Sequence, residues 1–96
     1  MSTEVEKKAS RRGCKGALTR EINSTKRKIA LNKPQEVENS LEVLEKKFTS
    51  FEEAHNSYHA VLKEETQIEE SEDYFGQVEQ EYVDALLYIR NWLDSN

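Results

Sequence analysis

His55 and His59 stand four residues apart and Glu52 lies three before His55, so on a helix the three side chains would share one face. That spacing could hold a divalent cation. The pattern lacks a nearby cysteine, and no glutamate sits between the histidines as in the metalloprotease arrangement H-E-x-x-H. A structural or surface role is therefore expected for both histidines, with no metal and no cofactor. The pairs Glu52-Glu53, Glu64-Glu65 and Glu69-Glu70 could suggest acid/base work. Adjacent helical residues point about 100° apart and do not converge on a substrate, so these pairs read as solvated faces. Cys14, among cations that would favour a thiolate, has no general base within reach along the sequence and reads as a small packing residue. No catalytic residue is expected, and the chain is read as a non-enzyme.

The stretch RRGCKGALTREI, from Arg11 to Ile22, combines four cations with two glycines. A phosphate loop would need the spacing G-x-x-x-x-G-K-[ST] between a strand and a helix, and Gly13 and Gly16 offer neither. The small residues at 9, 13, 16 and 17 form instead a thin stripe where a neighbouring helix could come close. Arg11, Arg12, Lys15, Arg20 and Lys26 to Lys28 could contact phosphates without sequence preference, giving weak nonspecific RNA binding. No aromatic is interleaved with them for base stacking.

Ninety-six residues allow one domain, and one proline and three glycines leave little punctuation between elements. Charged residues make up 34% of the chain and hydrophobic ones 35%, so a core requires narrow apolar stripes. Residues 1–33 carry ten Lys/Arg against three Glu, whereas residues 34–96 carry four basic and sixteen acidic residues. Opposite signs on adjacent elements favour docking of the first segment on the rest. The lone Cys14 and the lack of a long apolar run predict an intracellular setting, cytoplasmic rather than nuclear, with no membrane insertion.

Three stripes position these groups. Cys14, Leu18, Ile22, Thr25 and Ile29 recur at helical spacing over about 9–31, and Asn32-Lys33-Pro34 ends that helix. Val37, Leu41, Leu44, Phe48, Phe51, His55, Tyr58 and Leu62 form a heptad-like seam over 34–65. Such a helix would be roughly 48 Å long and outrun the first, leaving Tyr58, Val61, Leu62 and Ile68 on an apolar overhang. A turn follows at 66–71, with Ser71 as the N-cap of a third helix over 72–93. Phe75, Val78, Tyr82, Ala85, Ile89 and Trp92 line that helix. The expectation is an all-α, elongated antiparallel three-helix bundle with a coiled-coil-like long second helix. It forms one domain over 9–93, after a flexible N-terminus at 1–8 and before a C-terminal end at 94–96. Phe48, Phe51, Tyr82 and Ile89 should share its core.

RRGCKGALTREI, LEVLEKKFTSFEEAHNSY, an acidic turn and DYFGQVEQEYVDALLYI together resemble the helical domain near the start of Gag-like polyproteins of Pao/BEL-type LTR retrotransposons, a domain of unknown function. The resemblance spans about residues 8–93. Its basic element is close to R-G-x-x-K-G-x-[LV]-T-R, and its long helix follows L-x-x-L-x-x-x-F/W-x-x-F-x-x-x-x-x-x-Y/I. Arg12-Gly13, Lys15-Gly16, Leu18-Thr19-Arg20, Leu41, Leu44, Phe48, Phe51 and Tyr58 stand in those positions, with one residue between Gly13 and Lys15 where the family has two.

The resemblance implies a structural protein of an intracellular particle. The expected function is a non-enzymatic assembly or protein-interaction module of a retrotransposon Gag-like protein, which self-associates as a dimer or joins other Gag-like chains. The alternative is a nucleic-acid-associating module using the basic first helix. Arg11, Arg12, Lys15, Arg20, Tyr58 and Leu62 are the expected interaction surface.

Overall fold

The computed structural model describes residues 3–95, which form three helices: α1 (Glu4–Ala30), α2 (Pro34–His59) and α3 (Glu65–Asp94). They pack as an elongated three-helix bundle measuring 49 × 24 × 16 Å. Among the described residues no strand is present. No helix among them is long and apolar enough to cross a membrane.

Helix α1 starts well ahead of the expected residue 9. The Glu6 amide donates to Thr3 Oγ1 at 3.1 Å, and Glu4 and Glu6 sit in the first turn. Thr3 is thus an N-cap with acidic residues at the positive pole of the helix dipole. Residues 4–8 of the stretch expected to be flexible are therefore helical, while 1 and 2 lie outside the described residues.

The end of α1 follows the Asn32-Lys33-Pro34 signal. Asn32 takes a left-handed φ of 55°, its amide donates to the Ile29 carbonyl (2.9 Å), and the Lys33 amide donates to the Lys28 carbonyl (3.1 Å). This is a Schellman motif with asparagine in the place glycine usually fills, and Pro34 then opens α2.

Helix α2 stops at His59 rather than near 65, and α3 begins at Glu65 rather than 72. The Val61 and Leu62 amides donate to the Tyr58 and His59 carbonyls at 3.2 Å, closing a tight turn that tucks Leu62 against the bundle end. The polar run at 65–70 is helix, not turn. Its carboxylates face water near the positive pole of α3, where the dipole favours them. By rise per residue α1, α2 and α3 are about 40, 39 and 45 Å long. With α1 and α2 so nearly matched, the expected overhang of α2 does not exist. Tyr58 and Leu62 are buried, Ile68 is half-buried, and Val61 alone of the four is exposed.

Leu18, Ile22, Ile29, Val37, Leu44, Phe51, Val78, Ala85 and Ile89 form the buried core, with Phe48, Tyr82, Trp92 and other half-buried apolar side chains packed against it. Phe48 and Tyr82 stack face to face, 4.3 Å between ring centroids, and Phe51 stacks on Phe75 at 5.9 Å. These rings separate α3 from α2. By contrast α1 and α2 lie closest together, and there the polar positions are small. Thr25 and Ser40 turn their hydroxyls back to the carbonyls of Glu21 and Glu36, so neither is left unsatisfied in the core. The stripe of small residues at 9, 13, 16 and 17 does not serve close approach: Ala9 and Gly13 are exposed, and a Cβ at Gly13 would meet nothing within 4 Å.

Phe51 has no exposed surface and contacts rings on both α2 and α3. Phe51→Ala should lower unfolding free energy by about 3–5 kcal/mol, measured by urea denaturation. A loss under about 1 kcal/mol would mean that the aromatic layer does not hold α3.

Candidate functional site

The α1 stripe continues one turn before Cys14 and lands on Arg11, which is only 6% exposed. On α2 the same layer of the bundle holds His55 and Tyr58, and on α3 it holds Ser71 and Tyr74. Antiparallel register brings these five together at the end of the bundle where α1 and α3 begin. The Arg11 guanidinium lies between two rings, 4.4 Å from the Tyr58 centroid and 4.2 Å from that of Tyr74. Its Nη1 donates to His55 Nδ1 (3.2 Å) and to Ser71 Oγ (3.1 Å).

No carboxylate lies within ion-pair distance of Arg11 among the described residues. A cation buried without an acid is costly, and here two aromatic faces and two neutral acceptors offset the cost. Burial pulls the Arg11 pKa down, but an arginine stays charged in any protein setting.

The guanidinium dictates the protonation of its neighbours. Because Nη1 can only donate, His55 Nδ1 must offer a lone pair, and the ring carries its proton on Nε2. Burial first, then the charges of Arg11 and His59, push the His55 pKa from 6.5 down to about 4. Ser71 Oγ, having accepted from Arg11, can donate its own O–H to His59 Nδ1 at 3.0 Å. His59 Nε2 then points toward Glu72 Oε1, 4.0 Å away. The chain Arg11, Ser71, His59, Glu72 thus leads from the core to a surface carboxylate. Burial also raises the pKa of the Tyr74 hydroxyl, so the ring beside Arg11 is a neutral phenol at ordinary pH.

The two histidines are 5.4 Å apart and stacked, but their Nδ1 atoms already serve Arg11 and Ser71. Among the described residues no three His, Cys, Asp or Glu side chains assemble into a group that could hold a metal. Cys14 is a free, half-buried thiol packed against the core.

The residues expected on one interaction surface divide. Arg12 and Arg20 are exposed on α1, and Lys15 is half-buried, reaching Glu81 on α3 at 3.8 Å. Arg11, Tyr58 and Leu62 are buried within the bundle rather than spread on its surface. Beside the buried group opens a cavity of about 300 Å³ lined by Lys8, Arg11, Arg12, Tyr58, Glu70 and Tyr74, among others. Farther along the α1–α3 boundary, Lys26, Asp84 and Tyr88 border a second, more open groove of about 570 Å³.

No protein family, no curated protein and no solved structure matches this chain.

The His55 geometry has a pH signature. The unfolded chain binds this proton near pH 6.5 and the folded chain only near pH 4, so between those values the unfolded state carries more protons. Stability should therefore fall as pH drops through that window, by up to about 1.4 kcal/mol per pH unit from this group. His55→Gln keeps an acceptor for Arg11 and should flatten the dependence relative to the parent protein. Urea unfolding at intervals from pH 7 to pH 4 checks this, and parallel curves for the two proteins would refute it.

Proposed function

We propose that the chain is a non-enzymatic assembly and protein-interaction module, of the kind a Gag-like structural protein carries, and that it pairs with a second copy of itself through the basic face of α1. The observation that carries this reading is the disposition of charge. Lys8, Arg12, Arg20, Lys26 and Arg27 are all exposed on α1, whereas the solvent faces of α2 and α3 are predominantly acidic. Among the described residues, Lys15 with Glu81 is the one ion pair joining α1 to another helix. The cations are thus largely unspent inside the bundle and complement the acidic faces of another molecule.

Apolar side chains are also exposed on α3, and one of them stands beside an α1 cation. Val83, Leu87 and Tyr88 on α3 are 40%, 56% and 52% exposed, and Lys26 of α1 hangs 5.9 Å from the Tyr88 ring. An interface using this edge would combine charge steering with a small hydrophobic centre, the usual composition of a protein contact. The Gag-like assignment rests on the motif residues. Leu18, Leu44, Phe51 and Tyr58 are buried on their helices, with Leu41 and Phe48 packed beside them, consistent with a pattern that specifies a core. A cytoplasmic setting belongs to the same proposal.

The same cations would also suit a nucleic-acid backbone, and salt and concentration separate the two readings. Light scattering over a hundredfold range of protein concentration should show a dimer that dissociates as salt is raised. Arg20, Lys26 and Arg27, reversed together to glutamate, should give a monomer with a melting temperature within a few degrees of the parent, because exposed charges contribute little to folding. A monomer mass at every concentration, with RNA retarded at low salt, would overturn self-association in favour of the nucleic-acid reading.

A further inference from the structure

The cavity beside Arg11 has a chemistry that the assembly reading does not use. Three of its lining side chains are cations, Lys8, Arg11 and Arg12, and one is a carboxylate, Glu70. Arg11 is buried, yet its two hydrogen bonds both leave from Nη1. No bond among the described residues is taken by its Nε or Nη2, and no buried side-chain nitrogen among them lacks a partner. The remaining N–H groups therefore reach solvent, and the opening they reach is the cavity that Arg11 lines. The guanidinium lies against the rings of Tyr58 and Tyr74 and bonds His55 and Ser71, so its donors are held in direction before any ligand arrives. Lys8 and Arg12, both exposed, stand one helical turn apart on α1 at the rim.

We infer that this cavity is a binding site for a dianionic phosphate group, held by Arg11 from within and by Lys8 and Arg12 at the rim. Arginine presents planar, paired donors to a phosphate, and here the guanidinium has no acid of its own to compete. The lining charge of three cations and one carboxylate leaves an excess of two positive charges, which matches a phosphate dianion and overmatches a carboxylate. The volume of about 300 Å³ exceeds what an inorganic phosphate fills, so the group can be a monoester with a small substituent. Glu70 opposes the ligand and limits its affinity.

The site shares Lys8 and Arg12 with the basic face of α1 but none of the three residues on which the assembly test rests. Lys8 and Arg12 lie near the start of α1, whereas Arg20, Lys26 and Arg27 lie toward its end. Each reading can fail without the other.

The test is calorimetric titration of the whole chain with inorganic phosphate at pH 7.5, ionic strength being held constant with chloride, and with acetate as the control anion. Saturable one-to-one uptake of phosphate and at least tenfold weaker uptake of acetate are expected. Arg12→Ala and Lys8→Ala, at exposed helical positions where alanine is well tolerated, should each weaken phosphate binding about tenfold. Glu70→Gln should tighten it severalfold. Phosphate heats no different from those of chloride would overturn the inference, as would acetate binding equal to phosphate, or full affinity in the Lys8→Ala and Arg12→Ala variants. Sedimentation with phosphatidylcholine vesicles containing phosphatidic acid then assigns the source. Co-sedimentation lost in Arg12→Ala places the phosphate on a lipid, and its absence alongside calorimetric binding places it on a soluble ester.

Discussion

A single guanidinium joins the three helices at one end of this bundle. Arg11 leaves α1 at a core position and meets His55 and Tyr58 of α2 and Ser71 and Tyr74 of α3. Elsewhere α1 and α3 approach one another sparsely, and Lys15 with Glu81 is the ion pair that spans them. Apolar contacts tolerate sliding of one helix along another, because one aliphatic side chain substitutes for the next. A cation clamped between two rings and bonded to two named acceptors does not. Shifting α3 by one turn would remove Ser71 and Tyr74 from Arg11 and strand a buried charge, at a cost of several kcal/mol. The polar layer therefore fixes register, whereas the aromatic and aliphatic layers supply most of the driving force for folding.

The two helix pairs are built differently, and the difference shapes the surface. Small buried polar residues, Thr25 and Ser40, satisfy their hydroxyls within their own helices, which lets α1 and α2 come close. Between α2 and α3 stand Phe48, Phe51, Phe75 and Tyr82, whose rings hold the backbones apart. With α3 displaced by this aromatic layer, its boundary with α1 stays partly open. Two openings lined by α1 side chains lie along that boundary. Packing size in the core thus accounts for the openings between α1 and α3.

Much of this fold was legible in the stripes. Val37, Leu44, Phe51, His55, Tyr58 and Leu62 are buried in the order the heptad seam requires, although Leu62 lies past the last helical turn. Shape and core follow from periodicity because burial of alternate-turn side chains is what the pattern encodes. Boundaries were harder. Thr3 and Glu6 form a capping box signature that the run of charge after it obscured, and Ser71 read as a cap because serine is more common at helix ends than in cores. The polar layer was hidden for a stronger reason. Arg11 continues the α1 stripe by one turn, yet an arginine at that point reads as the end of a core unless its partners are known. Those partners lie 44 and 60 residues away on two other helices. Spacing along a single helix carries no information about them.

The opposite charges of the two chain segments suggested electrostatic docking of α1, and the structure uses them otherwise. Docking rests on the apolar stripe from Leu18 to Ile29 and on the Arg11 layer, with Lys15 to Glu81 and Lys28 to Ser40 as isolated polar links, while Lys8, Arg12, Arg20, Lys26 and Arg27 face water. This division is physically reasonable. An exposed ion pair contributes at most about 1 kcal/mol to folding, because water and salt screen it and two long side chains must be ordered to form it. The same charges act at long range on an approaching molecule, where their fields add and no internal entropy has yet been lost. Charge separation of this size is thus inefficient as a fold stabiliser and efficient as a guide for encounters. A bundle held by burial and one fixed cation can keep its shape across a range of salt concentrations in which its contacts with other molecules are made and released.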